Sequence, residues 1–331
     1  MSIIKSGHYQ IIATLGPAVK NRVSELVQAG ATGFRINSAH VTLAELSRWL
    51  IELERVFRQR GDAMPIWLDL QGSKLRIGRL VKVNFLQRGE IVTFKNSYSQ
   101  IAAEIPLPYP SVFQRIKPGD QISLDDGKIQ LMVQQVNNGS FRAQVLNFGE
   151  ISSFKSFLIP QNDLEIDQVS ARDRLFIEQT RHWRFVGYAI SYLQNTRELG
   201  LFQQLLPGKP LVAKIERPKA FLQLRELANS SDMTWLCRGD LGANGSIYQL
   251  FEYEKKFIEH MVFIEKPALI AGQVLQNMVR QNYPSRSEIA HLGYLLENGF
   301  SGIVLSDETA IGKYPIEAVE FCRNFINYIQ K

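Results

Sequence analysis

Only two cysteines, Cys237 and Cys322, occur in the 331 residues. A disulfide framework is therefore excluded, and Cys237, set in an apolar run, reads as a core thiol. No apolar stretch approaches the roughly 20 residues that span a bilayer. The opening Met1-Ser2-Ile3-Ile4-Lys5 lacks a signal-peptide pattern. A cytoplasmic protein without a membrane partner is the expectation. The 38 Lys and Arg outnumber the 32 Asp and Glu, for a net charge of +6. They form no basic run, so a nucleic-acid partner is not expected. The surplus reads as a solvated surface or as a cleft for anionic substrates. Also missing are a Gly-x4-Gly-Lys-[Ser/Thr] phosphate loop, a Gly-x-Gly-x-x-Gly turn after a first strand and a His-rich metal motif. The five histidines are scattered and support no Ser-His-Asp arrangement. His40 alone lies near a strand end, where a structural role outweighs a catalytic one.

What is present is a soluble composition, 45% hydrophobic and 21% charged, of a length that suits one large domain or two ordinary ones. Short runs rich in Ile, Val, Leu and aromatics read as buried parallel strands at Tyr9–Leu15, Gly33–Ser38, Ile66–Leu70, Arg184–Ile190, Pro210–Glu216, Met233–Arg238, Pro267–Ala271 and Gly302–Ser306. Amphipathic stretches separate most of them, among them Val19–Ala29, Leu43–Arg60, Ala171–His182, Ala220–Ala228, Tyr248–Phe263 and Ser287–Asn298. Eight strands alternating with helices predict an α/β fold, a closed (β/α)8 TIM barrel. One connection breaks the rhythm. After the third strand, residues 78–159 alternate as β structure, as in Glu90–Phe94 and Lys128–Val133. Turns at Pro118-Gly119-Asp120, Asp125-Asp126-Gly127 and Asn137-Asn138-Gly139 punctuate them. A small β-barrel-like domain inserted after strand 3 is expected there, with residues 1–77 and 160–331 forming the barrel. Without the insertion about 249 residues remain, close to the roughly 250 of a typical barrel.

In such a barrel the active site lies at the C-terminal strand ends. Polar residues recur there: Thr14; Arg35 and Asn37; Asp69, then Lys74 and Arg76; Lys214 and Glu216; Arg238-Gly239-Asp240; and Ser306-Asp307-Glu308-Thr309. So many charges on one rim are costly unless paired or bound to an ion. Any one of them can be explained by a salt bridge that ties the rim together; charges on most of the strands are harder to explain that way. Glu216 and Asp240 are hard oxygen donors able to hold Mg2+ or Mn2+, with substrate oxygens and water completing the shell. Arg35, Arg76 and Lys214 are cations suited to a moving phosphoryl group. Lys214 and Glu216, two apart on a strand, share one face.

Taken together these segments resemble the pyruvate kinase family. The similarity runs in order over nearly the whole chain: Ile12–Ala18; Arg35-Ile36-Asn37-Ser38-Ala39-His40; Leu68 through Gly78; Asp125-Asp126-Gly127; Lys214-Ile215-Glu216; Arg238 to Gly242; Ser285-Arg286-Ser287-Glu288; and Ser306 to Pro315. The resemblance implies phosphoryl transfer between phosphoenolpyruvate and ADP, with pyruvate and ATP as products and a glycolytic role. It implies that Lys214 contacts the moving phosphoryl group and helps stabilise the enolate, with Arg35 and Arg76 nearby. Glu216 and Asp240 correspond to the ligands of the divalent ion. The amides around Gly239 and Asp240 correspond to the substrate-carboxylate site, with Gly272 and Ser306 also on the substrate side. Arg35, Asn37, His40 and, more loosely, Lys155 fall on the nucleotide side. The inserted domain corresponds to a lid over the nucleotide.

Three departures accompany the resemblance. The family's monovalent-cation site corresponds to Asn37, Ala39 and Asp69, so its Ser ligand is missing, and Lys74 stands where K+-dependent members carry Glu. An ammonium there substitutes for the ion's charge, and K+ is expected to be dispensable. A family Thr on strand 7 is replaced by Gly272, which removes a donor and is expected to open room beside the substrate. Asp307 replaces a Gly and adds a rim carboxylate that repels an anionic substrate or pairs with a neighbouring Arg. Three readings stay open: a pyruvate kinase-like phosphotransferase; specialised phosphoryl-transfer or enolate chemistry with another substrate or acceptor; and a ligand-binding pseudoenzyme. No counterpart of the family's C-terminal regulatory domain is expected beyond the last barrel helix at Phe321–Lys331. Sugar-phosphate activation through it, and a tetramer built on it, are not expected; a monomer or homodimer is.

Overall fold

The computed structural model describes residues 9–72, 74–125, 127–159, 169–244 and 247–331. The expectations for Asp126 and for the barrel's resumption at residue 160 lie outside them. The chain forms two compact units. One comprises Met1–Gly72, Gln168–Gly239 and Phe251–Lys331; the other comprises Ser73–Asp167 and Asp240–Leu250.

The first unit is a closed parallel barrel. Its strands are β1 (Gln10–Thr14), β2 (Gly33–Asn37), β3 (Ile66–Leu70), β4 (Val186–Ile190), β5 (Leu211–Ile215), β6 (Met233–Cys237), β7 (Ala268–Ala271) and β8 (Gly302–Leu305). Each pairs with its sequence neighbours, and β1 closes the ring on β8 with Ile12 opposite Val304. Strands β3 to β7 are buried at every position, which is why they read as continuous apolar runs rather than alternating ones. Inside, Trp67 and Trp235 meet edge to face at 6.4 Å among Ile12, Val212, Leu269 and Val304.

Helices cover the ring, and their starts are written in capping chemistry. Helix Leu43–Arg60 opens on a capping box between Thr42 and Glu45, ends at Gly61 and buries Leu46, Leu50, Leu53, Val56 and Phe57 along one stripe. Helix Arg286–Glu297 opens on a second box, Ser285 with Glu288. The Ser-Arg-x-Glu element singled out in the sequence is thus a helix start.

The second unit is inserted between β3 and β4. It carries a six-stranded sheet in the order Phe157–Leu158, Gln121–Leu124, Ile129–Asn137, Ser140–Val145, Ile91–Lys95, Ile105–Pro106, and a ribbon pairing Asn84–Leu86 with Gly149–Ile151. Its own core centres on Phe94, Phe141 and Phe157, with Phe94 and Phe141 stacked at 4.7 Å.

Candidate active site

Within the barrel unit, the ends of β2, β3, β4 and β5 deliver one connected polar cluster. Period-2 alternation puts Lys214 and Glu216 on the same side of their strand. Asp69, on β3, is the hub. Its Oδ2 accepts from Arg35 Nε at 2.7 Å, and Lys214 Nζ donates to both carboxylate oxygens at 2.9 and 3.0 Å. Ser191 Oγ, just past β4, donates to Asp69 Oδ1 at 3.0 Å and accepts from Lys214 at 2.8 Å. Glu216 Oε1 pairs with Lys214 at 2.8 Å, while its Oε2 accepts the Tyr192 amide at 2.8 Å. That amide is presented by a left-handed residue, Tyr192 at φ 63°, a backbone state that costs a non-glycine residue free energy.

Burial and charge oppose each other here. Burial alone raises the Asp69 pKa, but Lys214 and Arg35 outweigh it and bring the carboxyl down to about 2. Burial alone lowers Lys214, but Asp69 and Glu216 outweigh it and hold the ammonium above its ordinary range. Burial and the neighbouring Glu216 push the Cys237 thiol well up, so it is inert as a nucleophile. Two cations face two carboxylates, and the cluster is balanced.

Other expected site residues of this unit lie around it. Arg35 Nη1 donates to Thr14 Oγ1 at 3.2 Å and to Ser306 Oγ at 3.5 Å, so Ser306 joins the cluster. Asn37 Oδ1 accepts the Ala39 amide at 3.1 Å, a local turn, and His40 is exposed. Asp307 is exposed. Its neighbour Glu308 is buried and accepts from Leu275 N at 3.0 Å and Ser306 N at 2.8 Å, tying β8 to the turn after β7. Gly272 corrects one expectation. A missing side chain there does not simply open room, because a Cβ would stand 3.1 Å from the Gly239 nitrogen and the residue sits at φ 87°.

The second unit holds the remaining ones. Lys74, nearly buried, pairs with Asp240. Arg76 Nη1 donates to the Phe154 carbonyl at 2.8 Å, and its Nε is buried without a hydrogen-bond partner. Lys155 pairs with Asp125 at 2.7 Å, and Lys128 donates to the same carboxylate at 3.0 Å.

Among the described residues no group of three or more His, Cys, Asp or Glu is arranged to hold a metal ion. Glu216 in the first unit, paired with Lys214, and Asp240 in the second, paired with Lys74, are each hard oxygen donors of the kind Mg2+ takes. Sequence reasoning missed Ser191 and the Tyr192 amide. A serine leaving a strand is too ordinary a signal, and a backbone donor leaves none.

The family described as "Pyruvate kinase, barrel domain" matches residues 7–319. A pyruvate kinase of Agrobacterium vitis is 30% identical over 337 residues, covering all of this chain and 70% of the relative. One of Thermococcus litoralis is 30% identical over 319 residues, covering 94% of this chain and 67% of the relative. The crystal structure of a pyruvate kinase from Cryptosporidium parvum superposes with a TM-score of 0.85 at 23% identity, covering 98% of this chain and 69% of that one. No described helix is long and apolar enough to cross a membrane.

Proposed function

Because the chain belongs to the pyruvate kinase family, we propose that it is a phosphotransferase moving phosphate between phosphoenolpyruvate and ADP. The observation that carries the residue-level reading is the placement of Lys214: a buried ammonium held by Asp69, Ser191 and Glu216 at 2.8–3.0 Å. Asp69 and Glu216 hold its pKa above the ordinary range, so it stands as an ammonium. It therefore acts as a fixed cation and hydrogen-bond donor, first to the moving phosphoryl group and then to the enolate oxygen that forms. It is not a proton shuttle. Asp69, ionised down to about pH 2, aims both Lys214 and Arg35, so the two cations keep a set spacing. By the family resemblance, Arg76 is a further cation for the phosphoryl group. The Gly239 and Asp240 amides take the substrate carboxylate, with Gly272 and Ser306 alongside. Arg35, Asn37, His40 and Lys155 serve the nucleotide.

By the same resemblance, Glu216 and Asp240 would hold a divalent ion, Mg2+ or Mn2+, which would supply charge neutralisation for phosphoryl transfer. The Lys74 ammonium stands in for a monovalent cation, beside the roles of Asn37 and Asp69, so K+ is not required. Phosphorus NMR of phosphoenolpyruvate, ADP and Mg2+ with the purified protein tests this, in tetramethylammonium buffer and again with K+. ATP resonances growing at equal rates in both buffers are expected. No ATP in either overturns the activity; ATP only with K+ overturns the role of Lys74.

A further inference from the structure

We propose that Arg238, backed by Glu254 and His291, is a positioning residue that fixes the turn after β7 against the Gly239 amide. It rests on the phosphotransferase reading only in taking that amide as the place where the acid substrate binds. Arg238 directly precedes Gly239, yet its guanidinium turns away to the Gly272–Gln273 turn. Nε and Nη2 donate to the Gly272 carbonyl at 3.0 and 2.9 Å, and Nη2 also donates to the Gln273 carbonyl at 2.9 Å. The turn it grips is strained: Gly272 at φ 87° is followed by Gln273 at φ 52°. Two consecutive left-handed residues, one of them not glycine, persist only where the surroundings over-determine them. Gly272 sits so close to Gly239 that a Cβ would meet its nitrogen at 3.1 Å. A loosened turn thus moves directly against that amide.

The far side of the guanidinium is held in turn. His291 Nδ1 lies 3.0 Å from Arg238 Nη1, and His291 Nε2 lies 2.7 Å from Glu254 Oε1. Glu254 also stands 3.7 Å from Nη1. Arginine can only donate, so Nδ1 accepts and Nε2 carries the hydrogen given to Glu254. Both sides of the guanidinium are then occupied by protein partners, which marks it as a clamp rather than a substrate contact. The charged groups around the imidazole and guanidinium are Glu254 on helix Leu250–His260, Glu288 on the helix of His291 itself, and Glu308 on helix Asp307–Ala310. The neighbouring Leu275 amide, bonded to Glu308 at 3.0 Å, gives the turn a protected reporter.

Three full-length variants test this: Arg238→Lys, His291→Phe and His291→Asn. The Asn carbonyl offers an acceptor near the position of Nδ1. His291→Phe and Arg238→Lys are expected to raise the KM for phosphoenolpyruvate roughly tenfold, the worth of about one charge-assisted hydrogen bond, with kcat changed much less. Hydrogen exchange of the peptide spanning residues 272–275 should quicken in both. His291→Asn, which restores an acceptor to the guanidinium, should keep both KM and exchange near the wild-type values. Unchanged exchange in His291→Phe and Arg238→Lys would overturn the clamp, and so would exchange in His291→Asn as fast as in His291→Phe. The exchange arm decides this even if phosphoenolpyruvate is not turned over, which would count against the proposed activity alone.

Discussion

At Asp69 two cations and a hydroxyl converge on one carboxylate, and that convergence makes a testable ledger. Its folded pKa of about 2 lies below the unfolded value near 3.8. The associated stability is therefore fully present above the unfolded pKa and is lost as the pH falls through about 2. By linkage it amounts to about 2 kcal/mol. Urea unfolding of wild type and Asp69→Asn should show a free-energy difference that shrinks by about that much between pH 5 and pH 2. Gly272 makes a second residue-scale test. The familiar remedy for a missing side chain, Gly272→Thr, should not raise activity here. At φ 87° a β-branched residue costs about 1–2 kcal/mol, and its Cβ would press on the Gly239 nitrogen. Lower thermal stability with no gain in kcat is the expected outcome of steady-state and melting measurements.

At the scale of elements, the exit from β3 is anchored by a helix start. Asp173, in the first turn of helix Ala171–Thr180, is fully buried and accepts the Gln71 and Gly72 amides, each at 2.9 Å. Gly72, at φ 59°, leaves no space for a side chain because a Cβ would fall 2.0 Å from the Ser191 carbonyl oxygen. Helix, strand exit and Ser191 are thereby locked together behind the Lys214 cluster. Burial raises the Asp173 pKa to about 6, despite its hydrogen bonds. A raised carboxyl pKa gives stability that is complete below the unfolded value near 3.8 and lost as pH rises through about 6. The unfolding free energy of wild type minus that of Asp173→Asn should drop by roughly 2 kcal/mol from pH 4 to pH 7. The elements themselves were readable because strands buried on both faces are apolar throughout, and helix starts such as Thr42-x-x-Glu45 carry their caps in sequence. Asp173 was not readable as an anchor, since its partners are backbone amides a hundred residues away.

At the scale of the whole molecule, each unit builds its own ion pairs: Arg35, Asp69, Lys214 and Glu216 in the barrel, and Lys74 with Asp240 and Lys155 with Asp125 in the inserted unit. The polar strand ends announced where chemistry would gather. They did not reveal that Asp69 would be the common acceptor, because nothing in its neighbours Leu68 and Leu70 distinguishes a hub from a rim salt bridge. Nor did they reveal that Arg238 would face the turn after β7, a contact set by backbone carbonyls that any sequence possesses.

The central claim is that the buried Lys214 ammonium carries the phosphoryl transfer. Its most direct test is the rate of pyruvate formation from phosphoenolpyruvate, ADP and Mg2+ by wild type and by Lys214→Met. Both proteins should first be shown to be folded by circular dichroism. Wild-type turnover with a loss of at least about 10²–10³-fold in the variant is predicted, the scale for removing one transition-state donor. Equal rates in the two proteins, or no pyruvate from wild type above the Lys214→Met background, would contradict it.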